Sequence, residues 1–238
     1  MPHRAFTIEE VAEYLHLSRA NVERLVRQNA IPFETLGSRI VFPCRQIRSW
    51  ASQRILNLPP AALDDYHRRA SAAPQAPAPQ APLLSTLLTP ERITPAITPR
   101  TKPSAIRELV ELADRTGLVC DREQLLQGVL EREALCSTAL DGGVALLHPR
   151  HHDPYLFVES FVVLGRALRP IHAGAHDGQP TDLFFLICCH QDALHLLTLA
   201  RLCAVCHATP LPERLRAAAA AHEMFDAIRD AEQTLLRR

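Results

Sequence analysis

The sequence has almost no lysine and no long apolar segment. Lys102 is the only lysine among the 26 lysine and arginine residues, so arginine carries nearly all of the positive charge. No apolar run approaches the roughly 20 residues that a membrane-spanning helix needs, and the N-terminus has no hydrophobic segment of the kind that directs secretion. Seven cysteines, an odd number, indicate reduced thiols and argue against a disulfide framework. These absences predict a cytoplasmic protein with no membrane contact.

Sites for nucleotides, cofactors and metals are also missing or weak. No Walker-type glycine loop is present, so nucleotide binding is not predicted, and we expect no cofactor. The sequence Cys-x-x-Cys-His at 203–207 has the spacing of a haem attachment site, but haem attachment of that kind requires export. Cys203 and Cys206 fall in an apolar helical pattern in which small buried thiols are common. We therefore assign no metal, with a soft-metal site as the minor alternative. The residues concerned are Cys188, Cys189, His190, Cys203, Cys206 and His207.

Length, proline content and charge predict two domains separated by a linker. A chain of 238 residues can form two modest domains, each with its own core. Residues 59–83 contain six prolines among alanine and glutamine, which predicts an extended tether that leaves the domains free to reorient. Residues 1–58 hold eight arginines against five glutamates, whereas residues 59–238 hold 18 basic against 21 acidic residues. The basic N-terminal excess of three charges permits a nucleic-acid face.

The first 58 residues predict helix, tight turn, helix, hairpin and helix. Residues 7–10 read Thr-Ile-Glu-Glu, a capping box that begins the first helix, and Ser18 caps a second helix at 19–28. Two alternating strands surround a Gly-Ser turn in residues 34–42, and Pro43 suits the start of a third helix.

This order of elements resembles the excisionase/MerR-like winged helix-turn-helix domains. The resemblance implies that the second helix enters the major groove of duplex DNA and that the hairpin is a wing on the backbone or minor groove. Two copies on paired half-sites, and hence a homodimer, would be needed for tight binding. The alternative is a small interaction module with a solvated arginine face. The implied DNA contacts are Arg19, Asn21, Arg24 and Arg27 of the helix and Arg39 of the wing.

The second domain alternates helical patterns with short apolar runs, which predicts an α/β domain with a mixed sheet flanked by helices. The predicted helices are 103–115, a helix capped by Asp121, 194–205 and 214–236, and the predicted strands are 144–147, 156–164 and 183–189.

A histidine ends the first of these strands. A glycine pair at 142–143 leads into the apolar residues 144–147, and His148 follows directly before Pro149. This order places an imidazole where the strand ladder stops. Arg132 lies sixteen residues earlier in a glutamate-rich helical pattern, and Glu131 or Glu133 could orient its guanidinium. An arginine near His148 would supply the donors that a phosphoryl group requires.

Residues 84–238 resemble the EIIA domains of the fructose/mannitol type in the bacterial phosphotransferase system, including the nitrogen-regulatory branch. The resemblance implies that His148 is the phosphoacceptor, that His195 is an assisting histidine and that Arg132 clamps the phosphoryl group. Leu147 departs from the pattern, because the family usually has proline before the acceptor histidine. The matching motif residues are Arg132, Glu133, Ser137, Thr138, Gly143 and His148, with further similarity at 84–93, 177–186 and 192–200.

Together the two resemblances imply a bacterial DNA-binding transcriptional regulator whose EIIA-like domain accepts a phosphoryl group from an HPr-like phosphocarrier. The chain is then a phosphoryl-accepting carrier more than a turnover enzyme. Two alternatives stay open: a phosphocarrier that passes the group to a separate EIIB-like acceptor, and a partner-binding protein with a silent site.

Overall fold

A computed structural model describes residues 5–72, 83–151, 153 and 155–237. The N-terminal module has the predicted order of elements, with a short strand added at its start. Its three strands form a sheet in the order β1-β3-β2, in which β3 pairs antiparallel with both neighbours. The elements are β1 (Ala5–Phe6), α1 (Ile8–Tyr14), α2 (Arg19–Arg27), β2 (Glu34–Leu36), β3 (Arg39–Pro43) and α3 (Cys44–Leu56).

Side-chain caps set the helix starts of this module as the sequence predicts. The Thr7 hydroxyl accepts from the Glu10 amide, and the Glu10 carboxylate accepts from the Thr7 amide at 2.8 Å, which completes the capping box. The Ser18 hydroxyl accepts from the Asn21 amide at the start of α2. These bonds satisfy amides that a helix N-terminus otherwise leaves without partners.

The predicted extended tether is wrong for residues 60–71. They form a helix, α4 (Pro60–Ser71), which buries Leu63, His67, Ala70 and Ser71. Pro60 stands in the first turn, where proline costs no hydrogen bond, and the next proline follows at Pro74. The prolines therefore bracket a helix that packs on the second domain. Residues 73–82 of the predicted linker lie outside the described residues.

The second domain is built on a mixed sheet, as predicted, and this sheet has five strands. The strand order is β4-β7-β8-β6-β5; β4 with β7 and β6 with β8 are parallel, and the other two pairs are antiparallel. A 3-10 turn (Pro90–Arg92) precedes β4. The remaining elements are α5 (Leu84–Leu87), β4 (Ile93–Ile97), α6 (Lys102–Asp114), α7 (Arg122–Leu135), β5 (Ala139–Leu140), β6 (Val144–Leu147), β7 (Phe161–Ile171), β8 (Thr181–Cys188), α8 (Asp192–Ala208), α9 (Leu211–Ala217) and α10 (Ala221–Leu236).

Two predicted boundaries are wrong. The strand predicted at 156–164 is β7, which begins five residues later, at Phe161. The single helix predicted at 214–236 is broken between α9 and α10. The Arg166 guanidinium donates to the carbonyls of Leu215, Arg216 and Ala218 at 2.6–2.8 Å and so caps α9. A tertiary cap therefore overrides the helical preference of five consecutive alanines, residues 217–221.

Helices cover both faces of the sheet, and the N-terminal module continues one of these layers. Helices α6 and α7 pack on one face, whereas α8 and α10 pack on the other. Helices α3 and α4 lie on the outer side of α8, so the core of the N-terminal module joins that layer. Helix α8 is consequently buried on all sides from His195 to Val205. Within the described residues no single helix is long and apolar enough to cross a membrane, although α8 and α9, bent by 82°, pass that test as a pair.

A buried polar network ties α4 to α8. Arg201 on α8 forms a fully buried ion pair with Glu232 at 3.0 Å. Its Nε donates to Nε2 of His67 at 2.8 Å, and its Nη2 donates to the Ser71 hydroxyl at 3.3 Å. Because Arg201 can only donate, this contact requires a neutral His67. The attachment of α4 therefore depends on the protonation state of one imidazole.

Acidification is expected to weaken this attachment through His67. Burial, with the Arg201 charge as a second cause, lowers the pKa of His67 from 6.5 to about 4. The stabilisation is complete above the unfolded-state value of 6.5 and is lost as the pH falls from 6.5 towards 4. Between pH 7 and pH 5 the His67 contribution to the free energy of unfolding should fall by about 2 kcal/mol. Urea unfolding at both pH values should show a smaller loss in His67→Gln, which keeps an acceptor for Arg201 but does not titrate. Equal losses in both proteins would contradict the role of His67.

Candidate functional site

His148 lies at the carboxyl end of β6, buried among α7, α8 and the sheet. The strand pairs with β8 from Val144–Leu183 to Leu147–Leu186, and the side chain of His148 is 2% exposed. The start of β6 is held by close backbone packing, because a Cβ at Gly143 would lie 3.1 Å from the Pro180 carbonyl oxygen. This packing fixes where the strand begins and hence where its terminal histidine stands.

The hydrogen bonds of His148 define its tautomer. Nδ1 lies 2.9 Å from the carbonyl oxygen of Leu146, which can only accept, so Nδ1 carries the proton. Nε2 lies 3.1 Å from Nε of Arg132, which can only donate, so Nε2 carries the lone pair. The imidazole is therefore neutral, and its nucleophilic nitrogen points at the guanidinium.

Arg132 is almost fully buried beside this nitrogen, at 2% exposure. Its Nη1 donates to the carbonyl oxygen and the sulfur of Cys136, at 3.1 and 3.2 Å, where α7 ends. Its Nη2 has no hydrogen-bond partner among the described residues. A buried guanidinium nitrogen without an acceptor is costly unless an anion can satisfy it. The arrangement thus suits an anionic group carried on His148.

The neighbouring glutamates do not orient Arg132 as the sequence suggested. Glu133 accepts from the amide and hydroxyl of Thr138 and pairs with Lys102 at 2.9 Å, whereas Glu131 accepts from Gln127. Glu133 therefore fixes the loop between α7 and β5, and the Cys136 carbonyl positions the guanidinium.

His195 faces His148 from the first turn of α8. The two ring centroids are 4.8 Å apart, and His195 is 0% exposed. Nε2 of His195 lies 3.2 Å from the hydroxyl of Ser52, which belongs to α3 of the N-terminal module. One turn away, Arg48 of α3 pairs with Asp192 at 2.6 Å. Helix α3 therefore covers the histidine pair.

The candidate DNA contacts of the N-terminal module are mostly exposed. Arg24 and Arg27 of α2 and Arg39 at the wing are exposed, and Asn21 is half-buried and accepts from Arg24 at 3.3 Å. Arg19 is also exposed but forms ion pairs with Glu9 and Glu23. The structure thus leaves all four arginines accessible, with Arg19 partly neutralised by its carboxylate partners.

Comparison with known proteins identifies the second domain. Residues 86–231, more than half of the chain, match the family described as the phosphoenolpyruvate-dependent sugar phosphotransferase system, EIIA 2. The chain belongs to this EIIA family. Residues 5–55 match the family described as helix-turn-helix domain, so the protein is a fusion of a helix-turn-helix domain with an EIIA domain.

Curated relatives of the EIIA domain include nitrogen regulatory proteins. The nitrogen regulatory protein of Bradyrhizobium diazoefficiens is 32% identical over 148 residues, which are 61% of this chain and 94% of that protein. The Escherichia coli nitrogen regulatory protein is 31% identical over 154 residues, 63% of this chain and 92% of that protein. The similarity thus spans the EIIA domain.

Solved structures share the EIIA fold. Nitrogen regulatory protein IIA-Ntr of Neisseria meningitidis has a TM-score of 0.56 at 23% identity and covers 62% of this chain and 99% of its own. IIA mannitol of Escherichia coli has a TM-score of 0.53 at 23% identity and covers 59% of this chain and 98% of its own.

Of the EIIA-domain cysteines considered as metal ligands, Cys188, Cys189 and Cys203 are buried and Cys206 is half-buried. Burial raises the pKa of Cys189 and of Cys206 to about 12 and raises those of Cys188 and Cys203 well above the ordinary range. Thiols of this kind stay protonated at neutral pH, whereas metal ligation requires the thiolate. No group of three or more metal-ligating side chains is assembled among the residues that the structure describes.

Ser52 and Arg48 are the site residues that sequence reasoning missed. Both lie in a helix of the helix-turn-helix domain, more than 90 residues from His148 along the chain, and the EIIA resemblance gives them no role. The signal that could have indicated a covering element is the high apolar content of residues 194–205, in which apolar side chains fall on every side of the helix.

Proposed function

We propose that this protein is a cytoplasmic DNA-binding transcriptional regulator whose EIIA domain accepts a phosphoryl group on His148 from an HPr-like phosphocarrier. The observation that carries the proposal is the pairing of Arg132 with the lone-pair nitrogen of a neutral His148, with Nη2 of the arginine left without a partner among the described residues. Membership of the EIIA family supports the same role.

The proposed transfer moves the phosphoryl group from a nitrogen of the donor to Nε2 of His148. The donor N–P bond breaks and leaves its electron pair on the donor nitrogen, the Nε2–P bond forms, and the proton stays on Nδ1, which donates it to the Leu146 carbonyl oxygen. A neutral imidazole is a competent nucleophile near pH 7, because its ordinary pKa is about 6.5. Charge on the phosphoryl oxygens is stabilised by the Arg132 guanidinium and by His195, since phosphoryl transfer depends mainly on positioning and electrostatics.

A direct test is phosphoryl labelling of the full chain. The protein is incubated with phosphoenolpyruvate, enzyme I and HPr, and its mass is followed before and after mild acid treatment. We expect an acid-labile gain of one phosphoryl group, on the peptide that contains His148. The control is HPr, which must itself be phosphorylated under the same conditions. The proposal would be refuted if neither the wild type nor Arg48→Glu, in which α3 is displaced from the histidine pair, gained a phosphoryl group.

The fused helix-turn-helix domain favours regulation over onward carriage alone. The arginines of α2 and the wing are exposed and are available as a DNA-binding face. A carrier that only passed phosphoryl groups to an EIIB-like acceptor would not need such a face. We therefore place duplex DNA among the partners, with a homodimer reading paired half-sites.

Removal of Arg24 or Arg39 is expected to weaken DNA binding. Contacts to phosphates release counterions, so the affinity of the full chain for duplex DNA should fall as salt rises, and each lost phosphate contact should lower the log–log salt slope by about 0.9. Arg24→Ala and Arg39→Ala should show this change in fluorescence anisotropy. The matched control is Arg115→Ala, directly after helix α6 of the EIIA domain, which should bind like the wild type. Binding that ignores both salt and these arginines would indicate a protein-docking module.

A further inference from the structure

We propose that helix α3 of the helix-turn-helix domain is an intramolecular cap of the phosphoacceptor site. In this proposal His148 is phosphorylated only when α3 leaves the EIIA domain, and phosphorylation opposes its return. The inference rests on the proposed phosphoryl acceptance and adds its regulation: the DNA-binding domain occupies the surface on which a phosphocarrier must land.

The first observation is the closure of the site. His148 is 2% and His195 0% exposed, and Ser52 of α3, itself 5% exposed, lies 3.2 Å from Nε2 of His195. Transfer between proteins requires the donor histidine and Nε2 of His148 to meet in line with one phosphorus atom. A phosphocarrier cannot reach an imidazole that is enclosed by its own protein.

The second observation is the chemistry of the contact. At the first turn of α8 the contact is made by polar and charged groups: the Ser52 hydroxyl lies on His195, and Arg48 pairs with Asp192 at 2.6 Å, with side chains 41% and 17% exposed. The apolar residues Ile47, Ala51 and Ile55 of α3 belong to the same core cluster as α8. Beside this ion pair lies a cleft of about 470 Å³ with Arg45 and Arg48 on one wall and Pro149 and His151 on the other. A partly exposed ion pair next to an open cleft adds little stability, so this end of the interface can separate at modest cost.

The third observation is the space and charge that a phosphoryl group needs. A phosphoryl group carries about 1.5 to 2 negative charges, and burying this charge requires matching hydrogen-bond donors. Arg132 supplies one buried positive charge, while His195 faces Ser52 within the closed interface. A phosphoryl group on Nε2 therefore competes with α3 for the same space beside His195, and solvent access favours the open form.

Helix α4 explains how the domains stay together while α3 moves. It is attached to α8 by the separate network of Arg201, His67 and Ser71, which includes no residue of the histidine pair. The DNA-facing arginines remain exposed in the closed form. Phosphorylation would thus change the position of the DNA-binding domain relative to the EIIA domain without covering its DNA face.

The test compares labelling rates in the full chain. Arg48→Glu places like charges at Asp192 and should raise the initial rate of phosphoryl labelling by about tenfold or more, because the rate scales with the fraction of molecules that are open. Arg115→Glu makes the same charge change directly after α6, away from the cap, and should label like the wild type. The double variant Arg48→Glu/Asp192→Arg restores opposite charges and should return towards the slow rate. Ser52→Trp is a second, steric way to displace α3 and should also label fast.

Amide hydrogen exchange gives an independent readout. Phosphorylation of the wild type should speed exchange in α3 and in the first turns of α8, whereas α4 should stay protected. Equal labelling rates in the wild type, Arg48→Glu and Ser52→Trp would overturn the cap and leave phosphoryl acceptance intact. The same holds if phosphorylated protein keeps full protection of α3. If none of these proteins is labelled, the phosphoryl acceptance itself is wrong.

Discussion

Phosphoryl labelling is expected to be lost completely in His148→Ala. No other histidine in the described residues combines a position at a strand end, an Nδ1–H held by a backbone carbonyl and an Nε2 facing a buried arginine. Without the His148 imidazole no N–P bond can form at this position, and no neighbouring side chain can replace it as the phosphoryl acceptor. The measurement is the acid-labile mass gain in the presence of phosphoenolpyruvate, enzyme I and HPr.

Two further variants separate the acceptor from its neighbours. His190, which hydrogen-bonds to Ser160 at 2.7 Å, is the matched control, and His190→Ala should label normally. His195→Ala should slow labelling without abolishing it, by an effect on the order of 1–3 kcal/mol in the transfer barrier. That variant is measured in the Arg48→Glu background, where α3 no longer covers the site. Unchanged labelling of His148→Ala would reassign the acceptor, and an unchanged rate in His195→Ala would make His195 a packing residue.

The arrangement of the candidate centre, with Arg132 beside His148, could be predicted from the sequence because both residues lie on or directly after regular elements of one domain. The strand of residues 144–147 was predicted with its observed bounds, and the helix that carries Arg132 was placed by its Asp121 cap. Arg132 lies in the last turn of this helix and His148 follows this strand, and the EIIA resemblance implies that the two side chains lie close together. The pairing at 3.1 Å agrees with that expectation.

The cap on this centre could not be predicted, because it depends on tertiary packing. Proline content argued for a tether, but two prolines at 59 and 60 are compatible with a helix start, and the apolar and polar residues of α4 find partners only on α8. The polyalanine break has a similar origin, since Arg166 lies about 50 residues from the carbonyls that it caps. Local propensity gives way to such contacts. The high apolar content of α8 is the one sequence feature that agrees with a covered outer side.

The second large effect is expected where α4 is attached to the EIIA domain. Arg201→Met should destabilise the protein by about 3–5 kcal/mol, because it leaves the Glu232 carboxylate buried without its ion-pair partner. Glu232 also accepts from the backbone amides of Leu83, Leu84 and Ser85, at 2.8–3.3 Å, so the loss extends to the start of the EIIA domain. The free energy of unfolding in urea measures the effect.

A matched pair and a rescue variant make this prediction specific. Arg214 pairs with Asp230 at 2.9 Å with both side chains nearly half exposed, so Arg214→Met should cost no more than about 1 kcal/mol. Arg201→Met/Glu232→Gln removes both charges but keeps the Oε1 acceptor of the Leu83 and Leu84 amides, and should recover a large part of the loss. If the double variant were as unstable as Arg201→Met alone, the cost would come from lost packing of the arginine stem and not from the unpaired carboxylate.

Because Arg201 also holds His67 and Ser71, the single variant should in addition loosen α4, and faster amide exchange there would link the buried charge pair to the docking of the DNA-binding domain.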